Sequence, residues 1–234
     1  MRTVIRLLSI STLAWLLGCA PNPTPLRISR FLPLEPGCVL PQNNQDIFTS
    51  GGTLDIAPGN PYFQVGMEIT GGDQFRTGEY RVGETVLEPE NRNHPILDRL
   101  VLSYSAKPTS LGLQLSSAQY SRALPFNADG IIQTQLNLIT PQVADELTAK
   151  VAPGDEVELL VSVEGRGYMS GDRASVTTGA LVYPLRVIAS DPATCMRGFQ
   201  QPDPATCLYP GQSTLVPPVV CCDQLVAGSP GCPP

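Results

Sequence analysis

The chain has 234 residues, 42% of them hydrophobic, and a formal net charge of −6 at pH 7. An acidic balance argues against a nucleic-acid-binding protein, because phosphate recognition needs clustered Lys and Arg. The length is sufficient for one domain with a sizeable core.

The first 18 residues have the features of an export signal. Arg2 and Arg6 are followed by a mostly apolar stretch from Leu7 to Gly18. This stretch is too short to span a bilayer but suits the hydrophobic region of a signal peptide. It ends Leu-Leu-Gly-Cys, which resembles the bacterial lipobox. By that resemblance the chain is cut before Cys19, and Cys19 is lipidated. The alternatives are a plain signal peptide with a chance cysteine and a buried N-terminal helix.

Lipidation at Cys19 would decide where the protein resides. Each acyl CH₂ buried in a membrane contributes about 0.8 kcal/mol, so two or three chains on one residue anchor a protein durably. Ala20 stands where a well-known sorting scheme places Asp for inner-membrane retention. Cleavage would also remove Trp15, the only tryptophan, and would bring the formal charge to −8. We therefore expect a lipid-anchored protein of the bacterial cell envelope, at the outer membrane.

Residues 19–37 are rich in proline, which forbids a continuous helix and favours extended chain. We predict a lipidated, proline-rich tether over 19–37. At about 3.1 Å per residue it would reach on the order of 50 Å. An edge strand packed on the domain is the alternative for Ile28–Leu34.

Residues 38–190 have the pattern of strands. Apolar and polar residues alternate in four segments, which predicts strands with one buried and one solvated face. The segments centre on Met67, Leu102, Leu136 and Val161. Further strand candidates are Leu111–Leu115 and Gly179–Ile188. Turn sequences separate the segments, and we predict an all-β domain, an antiparallel immunoglobulin-like β-sandwich.

One short helix is predicted in this domain. Thr140 suits its N-cap and Pro141 its first position, and Pro153 and Gly154 end it. Its apolar face consists of Val143, Leu147 and Val151. Such a helix would cross between the two sheets.

Residues 191–234 form a Cys- and Pro-rich tail in which Asp-Pro-Ala-Thr-Cys occurs twice. Export places the cysteines in an oxidising compartment, so disulfides are preferred to zinc thiolates. The candidates are Cys38, Cys195, Cys207, Cys221, Cys222 and Cys232. A link from Cys38 to the tail would fasten the tail onto the domain and contribute about 5 kcal/mol at most.

Residues that could carry catalysis are sparse. His94 is the only histidine and lies in a charged stretch typical of a loop. Gly167 to Gly171 lacks the spacing of a nucleophile elbow, and no metal- or phosphate-binding motif occurs. We predict no catalytic, cofactor-binding or metal site and hence a non-enzyme. An envelope hydrolase that depends on His94 is the enzymatic alternative.

Several short strings combine with the lipobox. They are GGTLDI at Gly51–Ile56, ALVYPLRV at Ala180–Val187, and the tail sequence DPATC…CLYPGQ…VVCC. Together they resemble a group of uncharacterised outer-membrane lipoproteins of the myxobacterial type. The resemblance implies an outer-membrane lipoprotein without an assigned activity, and Cys19 is the only residue whose role it carries over.

The functional hypothesis is a lipid-anchored envelope protein with a structural or protein-binding role. The alternative is an adhesin-like or carbohydrate-binding β-sandwich module at the cell surface. An exposed row of aromatic residues on one sheet face would favour the alternative, whereas a smooth polar face would favour a scaffold. The expected partners are the membrane, through the acyl chains, and an envelope protein or glycan.

Overall fold

The computed structural model describes residues 26–35, 37–41, 47–57, 61–71, 80–82, 85–87, 95–125, 130–171, 173–189, 199–200, 212–213 and 220–221. These residues form thirteen strands, one α-helix and one short 3₁₀ helix. The predicted all-β character is therefore confirmed. Within the described part of the chain, no helix combines the length and apolarity needed to cross a bilayer.

The strands are β1 (Leu26–Leu32), β2 (Gly52–Asp55), β3 (Gln64–Gly71), β4 (Tyr80–Val82), β5 (Thr85–Leu87), β6 (Pro95–Lys107), β7 (Ala118–Pro125), β8 (Ile131–Asn137), β9 (Glu156–Met169), β10 (Ser175–Ile188), β11 (Phe199–Gln200), β12 (Gln212–Ser213) and β13 (Val220–Cys221). Helix α1 spans Pro141–Lys150, and the 3₁₀ helix spans Thr109–Leu111.

Two sheets make up most of the described structure. The smaller has the order β1-β3-β8, and the larger has the order β12-β2-β10-β9-β6-β7. Strand β2 runs parallel to β10, and the other paired strands are antiparallel. Strands β4 and β5 form a separate pair, as do β11 and β13.

The inner faces of the two sheets share one hydrophobic core. Tyr183 of β10 is fully buried, and its ring lies 5.1 Å from that of Phe31 in β1 and 5.7 Å from that of Phe63 beside β3. Residues assigned to the inner faces of the four segments, such as Met67 and Val161, are buried, and Tyr104 is half-buried. The predicted solvated face is wrong at Glu68 and Val101, which are buried as well.

Helix α1 begins and ends near the predicted positions. The Thr140 hydroxyl accepts a hydrogen bond from the Val143 backbone N–H at 3.3 Å, and Pro141 occupies the first turn. Val143 and Leu147 are buried against the core. The helix connects β8 of the three-stranded sheet to β9 of the six-stranded sheet, as predicted.

The strand predicted at Leu111–Leu115 is wrong. The 3₁₀ helix ends at Leu111, Gly112 has a left-handed conformation with φ of 59°, and residues 113–117 belong to no strand. Leu111, Leu113 and Leu115 are half-buried and pack against the core. The alternation at Leu111–Leu115 therefore reflects which side chains are buried. No described strand pairs with the backbone of this segment.

The tether predicted over 19–37 is wrong for residues 26–32, which form strand β1 at an edge of the three-stranded sheet, as in the alternative given for Ile28–Leu34. Strand β1 contributes Leu26, Phe31 and Leu32 to the buried residues. Its prolines do not interrupt it, since Pro33 and Pro36 follow the strand. Residues 212–213 of the predicted tail also join the six-stranded sheet. Both sheets thus use residues outside 38–190, whereas 1–25 lie outside the described residues.

Candidate functional site

Most of the candidate site residues predicted from the sequence lie outside the part of the chain that the structure describes. Cys19, His94, Cys195, Cys207, Cys222 and Cys232 lie outside the described residues. Cys221 lies in β13, but its side chain is not described. Cys38 is disulfide-bonded, and the side chain of its partner cysteine is not among those described. The pairing of the tail cysteines therefore stays a prediction.

Cys38 sits in a tight hairpin turn on the outer face of the three-stranded sheet. Gly37 and Cys38 have φ values of 82° and 62°, and the Glu35 N–H donates to the Val39 carbonyl at 2.9 Å. The Cys38 N–H donates to the Glu35 carbonyl at 3.0 Å, so the chain reverses direction within 35–39. The Gln135 side-chain amide donates to the Cys38 carbonyl. The turn is therefore fixed to strand β8.

A buried charged cluster occupies the outer face of the same sheet. Arg30 forms a bidentate ion pair with Glu68 at 3.1 and 2.9 Å, and Ser29 and Gln133 each donate to the carboxylate at 3.0 Å. Burial raises the pKa of Glu68, but the hydrogen bonds from Arg30, Gln133 and Ser29 outweigh burial, so the pKa is lowered. The carboxylate is fully engaged, which indicates a structural role.

Gln212 joins the two sheets at one side. Its side-chain oxygen accepts from the Gln64 N–H at 2.9 Å, and its side-chain nitrogen donates to the Gln64 carbonyl at 2.7 Å. The Gln212 side-chain amide thus makes the two hydrogen bonds to the Gln64 backbone that a neighbouring strand would make. Gln212 is 2% exposed. This contact holds strand β12 against the start of β3.

Strand β7 forms an edge of the six-stranded sheet. It pairs with β6 alone, and no described strand lies on its other side. Arg122 and Ala123 together oppose Asp98, which makes a bulge in the second half of the strand. Bulges and terminal prolines protect sheet edges from pairing with other chains. The first half, Ala118–Ser121, has regular pairing and lacks this protection.

A cleft of about 390 Å³ borders this half of the edge. Its walls are the first residues of β7 and the start of α1, including Ser117, Tyr120 and Gln142. The Tyr104 hydroxyl is buried beside Thr140 without a hydrogen bond of normal geometry. Burial raises the pKa of Tyr104, and the neighbouring Thr140 opposes this rise only in part. The side chains that line the cleft are uncharged.

A second cleft of about 580 Å³ lies on the other side of Pro141. Tyr62, Asn137, Asp145 and Thr148 are among the residues that line it. Asn137 is committed to the backbone, since it accepts from the N–H groups of Phe63 and Ile139. Tyr62 and Asp145 are thus the aromatic and the charged side chains of this cleft.

The described residues contain no group of three His, Cys, Asp or Glu side chains that could hold a metal ion. The outer faces of the two sheets carry mainly Ser, Thr, Gln, Glu and Arg, and the described part of these faces shows no row of aromatic residues. What the arrangement offers chemically is a strand edge without a described neighbour, beside a cleft lined by uncharged side chains, and such an edge can accept an extended chain.

Sequence reasoning did not find these features. The sequence patterns predict no strand over Ala118–Pro125, and a strand's own sequence does not specify whether both of its edges are paired. The Glu68 cluster joins residues that are far apart in the chain, and each suits a solvated face. Comparison with known proteins adds no identification: no family model matches the chain, and no similar sequence was found among curated proteins.

Proposed function

We propose that this is a lipid-anchored protein of the bacterial cell envelope, at the outer membrane, and that it binds another envelope protein through the edge of its larger sheet. The lipobox at Cys19 supports the anchor. The β7 edge supports the binding role. The proposal includes no catalytic activity.

The observation that carries the binding role is the stretch Ala118–Ser121 beside the 390 Å³ cleft, which pairs regularly with β6 and has no described strand on its other side. An extended segment of a partner can add a strand to such an edge, with backbone hydrogen bonds for affinity and a side-chain pocket for specificity. Ser117 and Tyr120 border both the edge and the cleft. A strand added to β7 would place alternate side chains in that cleft.

Site-specific photo-crosslinking in intact cells tests this role. A photoreactive amino acid at Gln119, which is exposed on β7, should capture a discrete envelope protein. The same amino acid at Ser103, which is exposed on the interior strand β6, is the matched control. When the photoreactive amino acid is placed at a position of β7 next to 119, Gln119→Lys should abolish capture of the envelope protein, because a lysine on an edge disfavours strand addition. Equal capture from both positions would contradict the proposal.

The anchor has a separate test. Cys19→Ser should abolish acylation and release a soluble or misprocessed form, and intact-mass analysis of the wild type should show the acylated Cys19. Unchanged membrane association of the Cys19→Ser variant would contradict the lipid anchor. The crosslinking experiment tests the edge-binding role independently of this result.

The 580 Å³ cleft favours the second candidate function, a carbohydrate-binding or adhesin-like module. Tyr62 could stack on a sugar ring while Asp145 accepts hydrogen bonds from hydroxyl groups. Envelope glycans should then bind the wild type and not Tyr62→Ala, with Tyr168→Ala as the control. Absence of binding in a titration with purified glycan fragments would remove this candidate.

The finer fold assignment is also part of the proposal: an immunoglobulin-like sandwich with a disulfide-rich tail. The shared core of the two sheets and the Cys38 disulfide support it. Peptide mapping under non-reducing conditions should find Cys38 linked to a cysteine of residues 191–234. A link to Cys19 would contradict both this assignment and the lipid anchor.

A further inference from the structure

We infer that the partner bound at the β7 edge is a second copy of this chain, and that the two β7 strands pair antiparallel about a two-fold axis at Gln119. This inference rests on the proposed binding role of the edge and names its occupant. The surface consists of residues 116–121 and 140–142, all of which lie within the described ranges. We call it the pairing surface.

The pairing surface has no charged side chain, although the chain as a whole is acidic. Its polar residues are serine, threonine, glutamine and tyrosine. The chain has a formal net charge of −6, so two copies repel each other unless they meet through an uncharged face. The pairing surface is such a face, and its composition therefore suits a second copy of the same acidic protein.

The polar residues of the pairing surface are also self-complementary. In a symmetric dimer the same patch is used by both subunits, so residues close to the axis meet their own copies. The amides of Gln119 and Gln142 and the hydroxyl of Ser117 each supply both a hydrogen-bond donor and an acceptor. Each can bond to an identical group, whereas a lysine or a glutamate would face a like charge. A partner of unrelated sequence does not require this property.

The register of the pair follows from the symmetry and from the bulge in β7. Two identical antiparallel strands related by a two-fold axis have one residue directly opposite its own copy. With Gln119 on the axis, residues 117–121 of the two copies pair, and the bulge at 122 and 123 lies beyond them. With Tyr120 on the axis, Arg122 of the bulge would have to pair with Ala118. Gln119 therefore gives the longest regular pairing.

This register places Tyr120 of one copy opposite Ala118 of the other. Both residues lie on the inner face of the sheet, since they oppose Leu100 and Leu102 of β6, which are buried. Ala118 borders the 390 Å³ cleft, so the ring of Tyr120 from the second copy lies beside the cleft of the first. Tyrosine suits such a position, because its ring is apolar and its hydroxyl can bond to the polar lining.

Arg122 does not oppose this arrangement. It would lie opposite Ser116 of the second copy, so the two Arg122 residues are six positions apart along the pair. At about 3.4 Å per residue this separation is roughly 20 Å, which is about two Debye lengths at 0.1 M salt. The repulsion between the two guanidinium groups is therefore largely screened.

The edge of the smaller sheet faces the same side of the domain as the β7 edge. Strand β8 pairs regularly with β3, and no described strand lies on its other side. At the opposite edge of this sheet, Phe31 of β1 bridges to Thr49, which leads into β2. Thr140, which follows β8, borders the cleft beside β7. A single extended peptide would cover one of these two edges, whereas a second copy presents both at the same spacing.

A charge exchange at position 119 tests the axis. Gln119 is exposed, so Gln119→Lys and Gln119→Glu should both fold, and urea denaturation checks this. Each variant alone places two like charges directly opposite each other, which destabilises a strand pair, whereas a lysine opposite a glutamate stabilises it. Dimerisation should therefore fall severalfold for each variant alone and recover when the two variants are mixed.

The readout is crosslinking between two differently tagged forms of the full lipoprotein in intact cells. Both forms have a photoreactive amino acid at position 121, which is exposed on β7. The wild type should give a product of twice the mass of the chain that contains both tags. Cells with Gln119→Lys in both forms, or Gln119→Glu in both, should give severalfold less of it, and cells with one of each should give the wild-type amount. Ser103→Lys, at an exposed position of the interior strand β6, is the control and should leave the yield unchanged.

The outcomes separate this inference from the proposed function. A product that joins this chain to a different envelope protein would overturn the second copy as the occupant, while the proposed function would stand. No product at either position 119 or position 121 would overturn both. If the mixed variants fold and yet give no more product than each variant alone, the symmetric pairing about Gln119 is wrong.

Discussion

Removal of the Glu68 carboxylate tests whether the polar outer face of the three-stranded sheet stabilises the fold. In Glu68→Ala, the Arg30 guanidinium loses two hydrogen bonds, and Gln133 loses the carboxylate as an acceptor. The Ser29 hydroxyl keeps its contact with the Glu68 backbone carbonyl at 3.0 Å. The principal loss is therefore the two charge-assisted hydrogen bonds between Arg30 and Glu68.

The structure sets the expected magnitude. Breaking a buried ion pair by removing one partner costs about 3–5 kcal/mol. The Glu68 side chain is 9% exposed, but that of Arg30 is 22% exposed and can turn toward water. We therefore expect a cost at or below the lower limit, about 2–3 kcal/mol. The exposed pair of Arg186 and Glu156, each 53% exposed, is the matched control, and Glu156→Ala should cost about 0.2–1 kcal/mol.

Urea denaturation of the wild type and the two variants measures these costs, with the free energy of unfolding taken from linear extrapolation. The pH dependence provides a second readout. Since the pKa of Glu68 is lowered in the folded protein, the carboxylate stabilises above its unfolded pKa of about 4.3 and loses that contribution as the pH falls through the folded value. Glu68→Gln should show a weaker loss of stability in this acidic range. A Glu68→Ala cost no larger than that of Glu156→Ala would refute the reasoning.

Three further predictions concern the core, the helix and the sheet contacts. Tyr183→Phe should cost about 1 kcal/mol in urea denaturation, because it removes the 3.0 Å hydrogen bond to Thr49. Burial raises the pKa of Tyr183 to about 12, so above the unfolded value of about 10 this tyrosine should favour unfolding, and absorbance titration should show one phenol that ionises late. Thr140→Ala should cost about 1 kcal/mol through the lost N-cap, and Thr140→Ser should restore it; an equal cost for both would argue against capping. Gly66→Ala should cost about 1–3 kcal/mol, because its Cβ would lie 2.6 Å from the Leu40 side chain, which can move. Gly167→Ala should cost more, because its Cβ would collide with the backbone carbonyl of Ile96, and thermal denaturation should rank the two glycine variants in that order.

Local patterns predicted the parts of the fold that depend on local chemistry. The period of two assigned Met67 and Val161 to inner faces, and capping rules located α1 from Thr140 onward. Both signals lie within a few residues of the feature that they predict. The strand at Leu111–Leu115 shows the limit of such signals, since alternation reports which side chains are buried and contains no information on a paired backbone.

The candidate site could be predicted much less completely. The sequence alone predicted an export signal, a lipobox at Cys19 and candidate disulfide cysteines, because each prediction depends on a contiguous string or a count. The unpaired edge of β7 and the clefts beside α1 depend on which strands become neighbours. That choice is made by contacts between residues far apart in the chain, which short-range patterns do not encode.

By itself the sequence determined an all-β domain with one capped helix and a net negative charge, and it predicted an N-terminal lipid anchor. Only the tertiary structure decided that β1 belongs to the small sheet, that β2 runs parallel to β10, and that Glu68 is buried with Arg30 on a face that the alternation assigns to solvent. The physical reason is that alternation and capping are set by neighbouring residues, whereas strand pairing and the burial of a charge depend on partners that the chain brings together only when it folds.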